Sequence, residues 1–135
     1  MIVPAPFEWS GYLTLAEELA KRTDEASLRS ALSRAYYFVY HLALQRAEAN
    51  NFKSAPGEGT HTQLWRLFKG SPEPACLKLA LIAERLKEKR ERADYSPHFT
   101  RIQDEVPELL ADARDFATHL ERLPLRHPRP ESVRR

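Results

Sequence analysis

Residues 29–50 read RSALSRAYYFVYHLALQRAEAN, a helix-forming stretch that is apolar around most of its circumference. At about 100° per residue, Leu28, Leu32, Ala35, Val39, Leu42 and Ala43 fall on one broad stripe. Tyr37, Tyr40 and Leu44 cover a second side. Arg34 and His41, seven positions apart, share a narrow line away from the stripe. One apolar stripe is enough to seat a helix on the core of a monomer, so apolarity on several sides means burial on several sides. In a chain of 135 residues that burial points to a partner surface, with Arg34, Tyr37, Tyr40 and His41 as its interface residues.

The segments on either side carry the same helical period. Residues 10–22 place Leu13, Ala16, Glu17 and Ala20 at helical spacing. Thr23 and Asp24 precede the long helix, with Asp24 as its N-cap and an end near Ala49. NNFKSAPGEG (50–59) has the composition of a loop. Thr60 is read as the cap of a short third helix stopped by Gly70. Ser71 and Pro72 are read as the cap and first-turn proline of a fourth helix that runs to about Ala93. Its early part, with Leu77, Leu79, Leu81 and Ile82, is nearly all apolar. Pro97 breaks residues 95–103, and Asp104 with Pro107 opens a fifth helix bearing Leu110, Ala113, Phe116, Ala117 and Leu120 on one face. With four glycines and no alternating run, the expectation is an all-α fold, an up-and-down bundle of four to five helices centred on the second and fourth. Residues 1–123 form the domain. Residues 124–135, rich in proline and arginine, form a mobile tail that buries nothing.

Composition narrows the function classes. With 42% apolar and 30% charged residues, the chain has the profile of a soluble domain with one core. No apolar run is long enough for a membrane span, and MIVPAPFEWS has neither the basic start nor the apolar stretch of a secretory signal. A cytoplasmic protein without membrane contact is expected. The single cysteine, Cys76, permits no internal disulfide and reads as a small buried hydrophobe. The five histidines are scattered and form no ligand-spaced cluster, so no metal is expected. GEG at 57–59 lacks the lysine and helix register of a phosphate loop, so no nucleotide cofactor is expected.

Net charge is only +2, yet 15 of the 21 basic residues are arginine. Arginine's planar fork suits phosphate. Arg85, Lys87, Lys89, Arg90 and Arg92 crowd the end of the fourth helix, with Tyr95 beside them to stack on a base. The competing reading is a solvated helix terminus whose cations complement the macrodipole and pair with Glu84, Glu88 and Glu91. Trp65 and Phe68 read as core anchors in preference to a stacking platform.

Two separated motifs carry a family resemblance. RSALSRAYY (29–37) followed by Tyr40 and His41 resembles the second helix of small stand-alone HEPN proteins. Arg90-Glu91-Arg92-Ala93-Asp94-Tyr95 matches the R-x-x-A-D-Y signature in the fourth helix of the same class. His61 also sits where those proteins often carry a histidine. The likeness spans about residues 10–122 in order and spacing. It implies a helical bundle that forms a homodimer or docks on another subunit, in a prokaryotic defence, CRISPR or toxin–antitoxin setting. Many HEPN proteins are metal-independent RNases in which an arginine and a histidine four to six residues apart meet their symmetry mates. Here Arg90 is followed by Asp94 and Tyr95, with no histidine at the expected offset. An aspartate cannot serve both as neutral base and cationic acid near pH 7.

The spacing Arg-x(4–6)-His occurs at Arg34/His41, Arg92/His98, Arg114/His119 and Arg122/His127, where roughly one or two such pairs arise by chance, so the spacing alone decides nothing. Only Arg92/His98 lies beside the signature, which makes Arg90, Asp94 and His98 the candidate catalytic set. Arg34 and His41 are read as part of an interhelical hydrogen-bond network, and the last two pairs as surface residues. Three functions stay open. The one favoured is a non-catalytic RNA-associated subunit, binding RNA through Arg85, Lys89, Arg90, Arg92 and Tyr95. A metal-independent endoribonuclease and a structural adaptor without RNA contact are the others.

Overall fold

Asp24 takes an extended backbone, and its Oδ2 accepts hydrogen bonds from the Ser27 amide (3.0 Å) and the Ser27 hydroxyl (2.8 Å). That satisfies an amide the first helical turn leaves unpaired and starts the longest helix of the chain. A computed structural model describes residues 2–131. Five helices run in order: α1 (Ser10–Ala20), α2 (Glu25–Ala49), α3 (Thr60–Gly70), α4 (Pro74–Tyr95) and α5 (Ile102–Arg122). No strand occurs among the described residues.

Several ends differ from the expected ones. The first-turn proline of α4 is Pro74, after Glu73 as N-cap, and the helix continues to Tyr95. Thr60 is the first helical residue of α3 and Gly59 is its cap. Arg101, in a left-handed conformation at φ 61°, precedes α5, so that helix opens two residues before Asp104 and carries Pro107 in its interior.

Side-chain pairs fix the directions of the helices. Arg29 and Ser33 of α2 meet Ala93 and Asp94 of α4, so these helices are antiparallel. Arg85–Asp112 and Lys89–Glu105 set α4 antiparallel to α5. Trp9 at the start of α1 lies on His41 in the second half of α2, so α1 is antiparallel to α2 as well. The long helices therefore run up and down, and α3 links α2 to α4 along the chain while packing mainly on α4.

The core corrects one expectation. α2 touches all four other helices, whereas α4 does not meet α1, so α2 alone is the centre. The predicted stripe is buried at Leu28, Leu32, Ala35, Val39 and Ala43, and Tyr36, Phe38 and Tyr40 are buried on other sides of the same helix. The covering groups come from this chain's own α1, α3, α4 and α5. Burial of Tyr36, Phe38 and Tyr40 is thus met inside the protomer, while Tyr37, Leu42 and Leu44 of the same helix stay half-buried. Each fully buried side chain of this size, such as Tyr36, Phe68, Phe116 or Leu109, contributes about 1.5–3 kcal/mol. Cys76 is buried, as are Trp65 and Phe68. Leu77 and Leu81 of the apolar start of α4 are not; they are 46% and 56% exposed.

Two arginines of α2 close the C-terminal ends of neighbouring helices. Arg29 Nη1 donates to the carbonyls of Ala93 (2.8 Å) and Ser96 (2.6 Å) at the end of α4. Arg46 does the same for α5, donating to the carbonyls of Leu120 (2.7 Å), Leu123 (3.1 Å), His127 (3.2 Å) and Pro124 (3.4 Å). A cation there satisfies orphan carbonyls and complements the negative end of the macrodipole.

The expected tail is also corrected over the part described. His127 is only 3% exposed and Pro128 is fully buried. Asn50 Nδ2 donates to the Leu125 carbonyl at 2.9 Å, and Ser71 Oγ lies 3.4 Å from His127 Nδ1. Carbonyl capping by Arg46, invisible to composition, holds this segment against α2. Residues 132–135 of the expected tail lie outside the described residues.

Candidate functional site

The middle of α2 presents Arg34, Tyr36, Tyr37, Tyr40 and His41 over two turns, and three other segments bring their own aromatic and cationic groups to them. From before α1 comes Trp9, whose ring lies flat on His41 with centroids 3.4 Å apart and planes within 4°. Tyr12 of α1 stands edge-on to Trp9 at 5.2 Å. From α3 comes His61, stacked on Tyr40 at 3.9 Å. From α4 comes Arg90. A cage of rings with two guanidinium groups results.

Tyr37 is its centre. The Arg34 guanidinium lies 5.4 Å from its ring centroid and the Arg90 guanidinium 5.2 Å. The centroids of His41 and His61 are 6.4 and 6.0 Å away. Arg34 also sits 4.7 Å over Tyr12. A guanidinium within about 6 Å of a ring is drawn to its electron-rich face. Tyr37, Arg34, His41 and His61 are each half-buried, so the cage opens to solvent.

The two arginines are held differently. Arg34 has neither a hydrogen-bond acceptor nor a carboxylate partner among the described residues; aromatic faces alone position it. Arg90 is 7% exposed, stands 5.3 Å over Tyr36, and its carboxylate partner is Asp94, at 3.5 Å. Its Nε is buried with no partner. Asp94 Oδ2 also accepts from the Ser33 hydroxyl at 3.3 Å.

Beneath the cage, Trp65 Nε1 donates to the Tyr36 hydroxyl at 3.2 Å, and that hydroxyl lies 2.6 Å from His61 Nδ1. An indole N–H can only donate, so Tyr36 accepts from Trp65 and keeps its own proton free for His61 Nδ1. That arrangement goes with the imidazole tautomer that carries hydrogen on Nε2. Burial first, then the Arg90, Lys87 and His41 charges, push the His61 pKa down to about 4. Burial and Arg34 lower that of His41. Burial raises the Tyr36 and Tyr40 phenols. At neutral pH both imidazoles are uncharged, and the charge of the cage comes from arginine.

Sequence reasoning had divided these residues between two sites. The structure unites Arg34, Tyr37, Tyr40 and His41, expected at an interface, with Arg90 and Asp94 from the catalytic set. Arg34 and His41 join no hydrogen-bond network among the described residues; they stack, which corrects that expectation. Trp9, Tyr12 and the Tyr36–His61–Trp65 chain were missed as site residues. The cue was FEWSGY (7–12), three aromatics in six residues just ahead of a helix.

His98 is not brought in. It is exposed on the α4–α5 connection, where Ser96 Oγ donates to its carbonyl (2.9 Å) and accepts from its amide (3.3 Å); its ring has no partner among the described residues. The cations at the end of α4 are largely matched. Arg85 pairs with Asp112, Lys87 with Glu91 (3.6 Å), Lys89 with Glu105 (2.7 Å) and Arg92 with Glu88 (3.5 Å). Arg92 also covers the Phe99 ring at 5.5 Å. Tyr95 is 79% exposed with no ring against it among the described residues. Of the two chance Arg/His pairs expected at the surface, Arg114/His119 is exposed, whereas His127 is buried, a correction. No group of three metal-ligand side chains gathers among the described residues, and none of the described helices is long and apolar enough to cross a membrane.

The arrangement is suited to holding an anion beside a flat ring. It is poorly suited to proton transfer, because a second, charged imidazole is what the neighbouring arginines disfavour. Set against protein-family models, curated proteins and solved structures, the chain matches none.

Proposed function

We propose that the chain is a HEPN-like, RNA-associated domain of a prokaryotic defence or toxin–antitoxin system, holding single-stranded RNA on the α2–α4 face without cutting it. One observation carries this reading. Arg34 is pre-set between the rings of Tyr12 and Tyr37 with its fork of donors unclaimed. A phosphate is the acceptor that fork fits, and an unpaired base stacks on the part of a half-buried aromatic, Tyr37 or Trp9, that faces solvent. Arg90, buried behind Tyr37, adds positive potential without needing to touch the ligand. Two neutral imidazoles supply N–H donors. The matched ion pairs along α4 leave little general polycation, so affinity rests on this cage rather than on the helix end.

The test uses a labelled mixed-sequence RNA of about 10 nucleotides in EDTA, with anisotropy read from low to moderate salt. Each phosphate contact contributes about −0.7 to the slope of log affinity against log salt. Arg34→Ala should weaken binding about tenfold and flatten the slope by about one such contact. Tyr95→Ala should leave binding unchanged. Equal binding by Arg34→Ala, or no salt dependence, defeats the proposal. RNA cleavage by the wild type that disappears in His41→Ala and His61→Ala would replace it with the metal-independent ribonuclease.

A further inference from the structure

Away from the cage, the start of α4, the end of α5 and the Leu123–Pro124 corner enclose a groove of about 470 Å³. Its floor is apolar, with Ala75, Leu79, Ile82 and Leu123 among the lining residues, and its polar groups are Lys78, His119, Arg122 and Glu73. We propose that this groove docks an acidic amphipathic helix of a partner protein. The proposal goes beyond the RNA reading above, and it stands whether or not the cage binds RNA. Lys78 and Arg90 are twelve residues apart on α4, about 18 Å at 1.5 Å per residue.

Two independent features point to this occupant. The first is uncovered apolar surface. Ile82, which lines the groove, is only half-buried; Leu77 and Leu81 do not line it but are about half exposed on the α4 face beyond its Lys78 edge. The bundle buries its other large α4 side chains, Leu79 and Leu86, and Ile82 packs in part on the core, which leaves Leu77 and Leu81 as the large apolar side chains α4 exposes. The second is charge. Lys69, Arg85, Lys87, Lys89, Arg90 and Arg92 each have a carboxylate within an ion-pair distance. Lys78 and Arg122, both exposed, have none among the described residues. The unmatched cations of the α4–α5 surface thus flank its apolar groove.

A helix with apolar residues at i, i+3, i+4 and i+7 fills such a groove, and carboxylates along its edges reach Lys78 and Arg122. Glu73, at the N-terminus of α4, repels a carboxylate at that end and so favours one direction of lie. Other occupants fit less well. Nucleic acid gains nothing from an aliphatic floor without an aromatic ring. A symmetric pairing with a second copy would bring Lys78 and Arg122 from both protomers into one interface with only Glu73 from each to offset them.

The probe is a fluorescein-labelled peptide of about 14 residues, with leucines at i, i+3, i+4 and i+7 and glutamate and alanine elsewhere. Anisotropy should show micromolar binding to the wild-type chain. The double variant Lys78→Glu/Arg122→Glu should bind about tenfold more weakly, and Leu77→Ser/Leu81→Ser severalfold more weakly. All four positions are exposed, so circular dichroism should report an unchanged fold. A shuffled peptide of the same composition, with leucines scattered around the helix, should lose most of the affinity. No measurable binding of the probe overturns the proposal. So does equal binding of the shuffled peptide, of a lysine-for-glutamate peptide, or by the Lys78→Glu/Arg122→Glu protein. RNA binding by that variant should match wild type, which separates failure here from failure of the RNA reading.

Discussion

Replacing Arg46 by methionine keeps most of the apolar stem and removes the guanidinium that gathers four carbonyls at the end of α5. Two of those contacts, 2.7 Å to Leu120 and 3.1 Å to Leu123, are strong hydrogen bonds from a charged donor, worth about 1.5–3 kcal/mol each in isolation. The 3.2 and 3.4 Å contacts to His127 and Pro124 are weaker. The sum overstates the loss, because carbonyls near the exposed Pro124 and Leu125 regain water in the variant. A net destabilisation of about 2–4 kcal/mol is expected. It should be read as a lower urea midpoint at unchanged slope, and as a fall in Tm of roughly 10 °C. Arg46→Lys should lie between, since an ammonium cannot span the same four oxygens. Limited trypsin digestion adds a local readout, because cutting after Arg126 should quicken in Arg46→Met before global unfolding begins. A variant within about 0.5 kcal/mol of wild type, with the 124–130 segment still protected, would refute the capping role.

Three further outcomes follow from the cage. Tyr36→Phe leaves the Trp65 N–H without its acceptor and His61 without its donor, and should cost about 1–3 kcal/mol in urea unfolding. His61 has a folded pKa of about 4 against an ordinary 6.5. The unfolded chain therefore binds more protons between those values, so the stabilising term is complete above about pH 6.5 and fades as pH falls towards 4. With the ring half-exposed, the loss is on the order of 1–2 kcal/mol, and His61→Gln should flatten the stability profile over that window. Trp9→Ala uncovers His41 and should move its pKa up towards the ordinary value in an NMR titration; an unchanged titration would show that the stack does not desolvate it.

Much of the fold was legible because periodicity reports burial directly. The five helices, the Asp24 cap and the buried stripe of α2 all follow from local pattern. Which neighbour covers a buried face does not. Tyr40 reads identically whether it is shielded by His61 of the same chain or by another subunit. The helix starts that shifted depend on choices between adjacent prolines and caps, as with Pro72 and Pro74, where local preferences are nearly equal. The 124–130 segment looked free because its anchor is an arginine some 75 residues earlier in the sequence. For the candidate site, residue identity on α2 picked out side chains that the fold gathers around Tyr37. Within the Arg90-to-Tyr95 stretch, helical phase turned Arg90 inward and left Tyr95 outside, and His98 was carried off by the turn at Pro97. Trp9 and Tyr12 reach His41 by the return of α1 along α2, a long-range event that no short window contains.

Because α2 touches every other helix and caps two of them from its own side chains, its amides cannot meet solvent until most of the molecule has come apart. Hydrogen exchange in the middle of α2 should therefore track global opening, whereas α1, which packs only on α2 and α5, can peel away first. Such peeling would carry off Trp9 and Tyr12 and strip Arg34 of one of its two flanking rings, so breathing of the outermost helix and readiness of the cage are one and the same event.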